Sequence, residues 1–180
     1  MNDPTAPVRI RDAALGDAEI LADYNARLAE ETEHLRLDPA VVRRGVARVL
    51  GDASKGRYFV AEVSGPKVGP SAQALPAGSG DVVGCTMVTY EWSDWRDAYL
   101  WWIQSVYVRA GWRRRGVFRA LYGHVRQAAL DAGAGGLRLY VERENVAAQR
   151  TYESLGMHIA PYAMMAEMFD GRAGESSSIE

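Results

Sequence analysis

Arg113, Arg114 and Arg115 stand in a row, closed by Gly116, inside the stretch SVYVRAGWRRRGVFRAL from Ser105 to Leu121. The stretch opens with the pattern of a buried strand and closes with the spacing of a helix. Positive charge and a glycine at such a turn have three readings: a nucleic-acid patch, a solvated corner, or a cradle for phosphate. The last rests on simple chemistry. Backbone N–H groups entering a helix lack intrahelical partners, and the helix start carries about half an elementary positive charge. A glycine there lets an anion approach the main chain.

Composition narrows the choice. The 180 residues suit one well-buried domain, and 24% charged with 48% hydrophobic residues is ordinary for a globular protein. The net charge is −2, so the arginine run is local, whereas phosphate-backbone binding usually shows as a basic domain or stripe. No nucleic-acid partner is therefore expected. Cys85 is the only cysteine, which excludes an internal disulfide and a multi-cysteine metal site. The three histidines, His34, His124 and His158, are scattered, and no metal is expected. The first ten residues lack the basic start and apolar stretch of a secretory leader. No apolar run approaches the roughly 18 residues of a membrane span. A cytoplasmic protein without a membrane partner is the expectation.

Val8–Ala13 alternates as a strand, and Ile20, Leu21, Tyr24 and Leu28 recur at helical spacing from about Asp17 to Glu31. Asp38-Pro39 supplies a capping carboxylate and a first-turn proline for a second helix ending near Gly51. Arg57–Val63, Val82–Trp92 and Ala98–Val108 read as strands. The Gly-, Pro- and Ser-rich residues Ser64–Asp81 read as a mobile hairpin loop. A helix from about Gly116 to Ala132 precedes a strand over Leu137–Glu142. Asn145 then starts a helix that Gly156 ends, and Tyr162–Phe169 reads as a last strand. The order β-α-α-β-β-β-α-β-α-β predicts an α/β fold with one mixed, mostly antiparallel sheet flanked by helices. Residues 1–170 form a single domain in this reading, and 171–180 a disordered tail.

The phosphate cradle does not match the named nucleotide motifs. G-x-x-x-x-G-K-[ST] is absent, and the glycines of GAGG (Gly133–Gly136) follow a helix and precede a strand, the wrong order for a dinucleotide fingerprint. Some other phosphorylated carrier fits better. VYVRAGWRRRGVFRAL resembles motif A of the GNAT superfamily of acyl-CoA-dependent N-acyltransferases. LYVERENVAAQRTYESLGM, Leu139 to Met157, resembles the motif that follows it. The two keep the family's order and spacing, and the resemblance covers roughly residues 8 to 169. It implies acetyl-CoA as co-substrate and an amine as acceptor, with a homodimer left open.

The resemblance also implies roles. Main-chain groups of the strand Val106, Tyr107 and Val108, chiefly of the two valines, would hold the acetyl carbonyl and the pantetheine arm. Arg113 to Arg119 would hold the pyrophosphate through backbone N–H groups of Arg114, Arg115, Gly116, Val117 and Phe118. Phe118 stands where the family carries a small residue, which alters the details of that contact. Asn145 would contact the pantetheine arm or shape the acceptor end. Tyr152, seven residues and about two turns further on, would be the general acid toward the departing thiolate.

The family's usual carboxylate base on the strand before the turn is missing, since LWWIQS holds no Asp or Glu. Glu91 is then the expected catalytic base, with Glu31 or Glu33 or a water relay as the alternatives. Trp92, Trp95, Trp101 and Trp102 cluster around one hairpin. Trp92 and Trp102, with Glu31 and Glu33, would receive a cationic amine by charge and cation–π contact. A fold module that binds acyl-CoA without catalysis, as a sensor or interaction domain, is the rival reading.

Overall fold

The computed structural model describes residues 8–63, 80–167 and 169. Residues 64–79 of the expected hairpin loop and the expected disordered tail lie outside them. The chain divides into two compact units, one up to Arg138 and one from Leu139.

In the first unit, β1 (Val8–Asp12) leads through a short 3-10 turn (Leu15–Asp17) into α1 (Ala18–Glu33) and α2 (Pro39–Gly51). Then come β2 (Arg57–Val63), β3 (Asp81–Ser93) and β4 (Ala98–Val108). A second 3-10 turn (Ala110–Trp112) precedes α3 (Val117–Asp131) and β5 (Gly136–Leu139), whose last residue is the first of the second unit. The five strands form one sheet in the order β1-β2-β3-β4-β5, and the first three pairings are antiparallel. Helices flank the sheet, as the α/β reading requires.

Local chemistry explains the boundaries. The Asp38 carboxylate accepts from the Ala40 N–H at 2.7 Å and the Val41 N–H at 3.4 Å, and Pro39 follows it at the helix start. α3 buries Val117, Leu121, Tyr122, Val125 and Ala129, a stripe of helical period. It ends on Gly133 at φ +70°, with Gly133 N–H donating to Leu130 C=O and Ala134 N–H to Ala129 C=O, a Schellman closure.

Period-two geometry assigns the faces of the sheet. Cys85 and Tyr107 join Leu21, Tyr24, Val46, Tyr58 and Val60 in the core under α1 and α2. Burial pushes the Cys85 thiol up to about 12. On the opposite face Phe59 meets the His124 ring of α3 edge-on at 5.1 Å. Two bulges interrupt the ladders, one placing Val83 as an extra residue on β3 and one placing Gln104 as an extra residue on β4.

The second unit holds α4 (Val146–Glu153). Asn145 caps it, its side-chain oxygen accepting from the Ala148 N–H at 3.0 Å. Gly156 at φ +93° closes it by the same Schellman pair, Met157 N–H to Tyr152 C=O and Gly156 N–H to Glu153 C=O. Two expectations need correction. β5 stops at Leu139 rather than Glu142, and residues 162–167 form no strand. Tyr162, Met164 and Met165 are exposed instead. Apolar and aromatic residues favour a strand only where a neighbour supplies the ladder, and this segment has none among the described residues. Among those residues no helix is long and apolar enough to cross a membrane.

One buried charge cluster ties the first strands to the helices. Arg11 donates to both oxygens of Asp17 at 2.7 and 3.0 Å and through Nε to Glu62 at 2.5 Å. Burial pushes Asp17 up, but Arg11 and the Ala14 N–H outweigh it and hold the carboxyl below its ordinary value. Arg11 holds Glu62 low as well. Arg11→Met should lower the stability measured by urea melts at pH 7 by about 3 kcal/mol, because Asp17 is left buried without its counter-charge. Both carboxylates titrate below their ordinary values of 3.8 and 4.5, so their contribution is present at neutral pH. It is lost as pH falls below about 4. The wild-type stability profile should drop there, and the drop should be shallower in Arg11→Met.

Candidate functional site

The arginine turn is pinned from both sides. Trp112 and Val117 are buried, while Arg113, Arg114, Arg115 and Gly116 between them are exposed. Trp112 N–H donates to Arg109 C=O at 2.7 Å, and the Arg115 guanidinium lies over the Trp112 ring at 5.3 Å. Arg114 takes φ +62° and Gly116 φ +81°. The first main-chain bond of α3 runs from Ala120 N–H to Gly116 C=O at 3.0 Å. The N–H groups of Arg115, Gly116 and Val117 therefore lie ahead of the helical ladder. A Cβ on Gly116 would meet nothing within 4 Å, so the space in front of the turn is open.

Gly84, in the interior of β3, sets where this helix start lies. A Cβ there would come 2.9 Å from Tyr107 C=O and 3.3 Å from Val117 Cγ1. Only glycine lets α3 approach so closely, and Gly84 pairs with Val108. The turn thus opens beside the last residues of β4. Arg109 N–H donates to Val83 C=O at 2.9 Å, so Tyr107, two residues back, also pairs its main chain toward β3. Val106 and Val108 then direct their N–H and C=O groups to the other edge. β5 starts beside the far half of β4, where Gly135 N–H donates to Tyr99 C=O at 2.8 Å. Its four residues span only about 13 Å, so it does not extend along Val106–Val108.

Charge gathers at this edge. Arg113 Nε donates to Val108 C=O at 2.9 Å, and its Nη2 donates to Glu31 at the end of α1. The Tyr107 hydroxyl donates to the other Glu31 oxygen at 3.0 Å. Arg113 foremost holds the Glu31 carboxyl below the usual range; burial pushes it the other way, and the Tyr107 hydroxyl adds a lesser pull downward.

A family model described as the acetyltransferase (GNAT) family matches residues 56–157, more than half of the chain. The chain belongs to the GNAT acetyltransferase family. Its class of activity is acyl transfer, and the proteins of this family use acyl-CoA. A crystal structure of "a possible acetyltransferase" from Clostridium difficile 630 is 39% identical, with a TM-score of 0.77 over 90% of this chain and 97% of that one. A ribosomal-protein-alanine N-acetyltransferase from Brucella melitensis biovar Abortus 2308 shares the fold at 18% identity, with a TM-score of 0.66 over 91% of this chain and 100% of that one. An aminoglycoside N-acetyltransferase solved in complex with CoA shares it at 14% identity, with a TM-score of 0.71 over 93% and 99% of the two chains. Among curated proteins none matches the chain significantly.

The residues of this GNAT turn fit an acyl-CoA. Open space in front of Gly116, N–H groups ahead of the ladder and exposed arginines suit a diphosphate. Phe118 does not fill that space with its ring, which is half-buried and tilted against Tyr122 of its own helix, 6.3 Å away. The other expected residues are distributed less simply. Glu91 accepts from Trp102 Nε1 at 2.5 Å and from Arg138 at 2.9 and 3.2 Å. It lies five residues along β3 from Thr86, the partner of Val106, which is roughly 17 Å. The structure does not bring it to the turn. Trp92 packs edge-on against Tyr99 at 5.0 Å on the α3 face, whereas Trp102 and Glu91 lie on the α1 face. The two tryptophans do not line one pocket. Glu33 is exposed at the end of α1. Asn145 caps α4, and Tyr152 lies about two turns further on, in the last turn of that helix.

Sequence reasoning missed Gly84 and the tether between Glu31 and Arg113. The first had a signal, a lone glycine inside the strand pattern VVGCT. The second had none, because 82 residues separate the partners.

Substitutions should separate the two glycines. Gly116→Ala should cost roughly 1–2 kcal/mol in chemical denaturation, and Gly116→Asn less, because the cost is conformational and Asn tolerates positive φ. Gly84→Val should cost about 1–3 kcal/mol by forcing α3 off the sheet, and Gly84→Asn should give no such relief.

Proposed function

We propose that this chain is an N-acetyltransferase that moves the acetyl group of acetyl-CoA to a primary amine, of a small molecule or a peptide, by direct attack. The observation that carries this reading is the pinned turn, whose N–H groups and open glycine adjoin the outward-facing main chain of Val106 and Val108. The family match spans both compact units, which supports treating residues 1–170 as one domain. The CoA complex of a protein with the same fold supports the choice of ligand.

In this reading Arg114, Arg115 and Arg119 supply positive charge to the diphosphate, and the N–H groups around Gly116 receive it. The Val106 and Val108 main chain orients the pantetheine arm. The coenzyme supplies a thioester whose carbonyl carbon accepts the amine and whose thiolate departs. Tyr152 donates a hydrogen bond toward that thiolate. With phenol near pKa ~10 and thiol near ~8.5, full proton transfer is uphill by about 2 kcal/mol, so a bond that strengthens as charge develops suffices. Asn145, as the cap of α4, fixes the helix that carries Tyr152.

The acceptor must lose a proton, since an amine of pKa ~10.4 is only about 0.04% neutral at pH 7. Glu31 is held by Arg113 and Tyr107, and Glu91 by Trp102 and Arg138. Both already balance a cation. Water is therefore the acceptor of that proton in our reading, and neither carboxylate is the base.

Screening thiol release from acetyl-CoA against amines, amino acids and peptides tests the activity. Turnover with one class supports it; CoA binding without turnover on any acceptor would favour the non-catalytic module. Tyr152→Phe should lower kcat at least tenfold while calorimetry shows CoA affinity little changed. Glu91→Gln should leave both kcat and its pH profile near wild type, and a shifted profile would restore Glu91 as the base.

A further inference from the structure

The last turn of α1 breaks a local rule. Glu30, Glu31 and Glu33 crowd a helix C-terminus, where the dipole disfavours negative charge, and no basic residue of the helix's own last turn offsets them. A charge kept against the local preference points to a partner elsewhere in the fold. That partner is the arginine turn. Both Glu31 oxygens are engaged, one by Tyr107 and one by Arg113, while the same guanidinium reaches Val108 C=O and lies 5.7 Å from the Tyr107 ring. Four groups from α1, β4 and the turn are thereby joined through one planar fork. Lysine could not reproduce this, having no second N–H direction fixed relative to the first.

We infer that Glu31 is a positioning residue for acyl-CoA, acting through Arg113 to fix the end of β4 and the turn that opens α3. The inference rests on the acyl-CoA reading above and changes the division of labour within it. Arg113 orients Val108 C=O and ties the turn to α1, leaving the diphosphate to the main-chain N–H groups and the other arginines. Glu31 neither takes the amine's proton nor binds the amine. Both side chains are about half exposed, so the tether is a modest one, and its loss loosens the site without unfolding it.

Glu31→Gln keeps the shape and removes the charge; Arg113→Lys keeps the charge and removes the fork. Each should raise the calorimetric Kd for CoA and the KM for acetyl-CoA roughly three- to tenfold. kcat at saturation, the acceptor KM and the pH profile should stay at wild-type values. The double variant should be no worse than either single one, because both cut the same link. A lowered kcat with a shifted pH profile in Glu31→Gln would overturn the inference in favour of a base. A raised acceptor KM with unchanged CoA affinity would overturn it in favour of an acceptor contact. CoA affinity within twofold of wild type in both variants would also overturn it. Wild-type protein that binds no CoA would instead defeat the acyl-CoA reading itself.

Discussion

The approach of α3 to the sheet at Gly84 is the constraint on which the site depends. Because β3 carries no side chain there, Val117 and Leu121 seat directly on the strand, and the helix start falls beside the end of β4. Two otherwise ordinary features then become one site. Unpartnered N–H groups exist at every helix start, and outward main-chain groups at every sheet edge. Here they are brought together, and the exposed arginines between buried Trp112 and Val117 surround them with charge. Packing, rather than any single polar contact, creates the place where an acyl-CoA would lie.

The charged residues follow a common pattern around that scaffold. Arg11 joins Asp17 and Glu62, Arg109 joins Asp81, Arg113 joins Glu31, and Arg138 joins Glu91. All but Arg11–Asp17, whose partners lie six residues apart, link elements distant in sequence. Carboxylates that look like acid–base machinery in the sequence thus turn out to be engaged in holding strands and helices in register. Glu91 is such a carboxylate, held by Trp102 and Arg138, and residue type alone does not reveal those partners.

Much of the fold was legible because local chemistry and tertiary structure agree. The aromatic and β-branched runs mark β2 and β4, Asp38-Pro39 starts α2, and Asn145 and Gly156 frame α4. The turn was legible for the same reason, since glycine and charge at a helix start have few uses. Less legible was whatever depended on a neighbour. The apolar residues after Tyr162 resembled a strand but have no ladder among the described residues, and Trp92 and Trp102 look adjacent until β-register puts them on opposite faces. The bulge at Gln104 is of the same kind, a property of two strands together.

Cys85 has a practical consequence. It is the only sulfhydryl in the chain, it is buried in the core, and its thiolate is disfavoured by burial until about pH 12. Folded protein is therefore nearly silent toward disulfide reagents at neutral pH. Chromogenic titration of a reaction mixture will count liberated coenzyme against an almost blank protein background, and a slow rise in that blank will report unfolding.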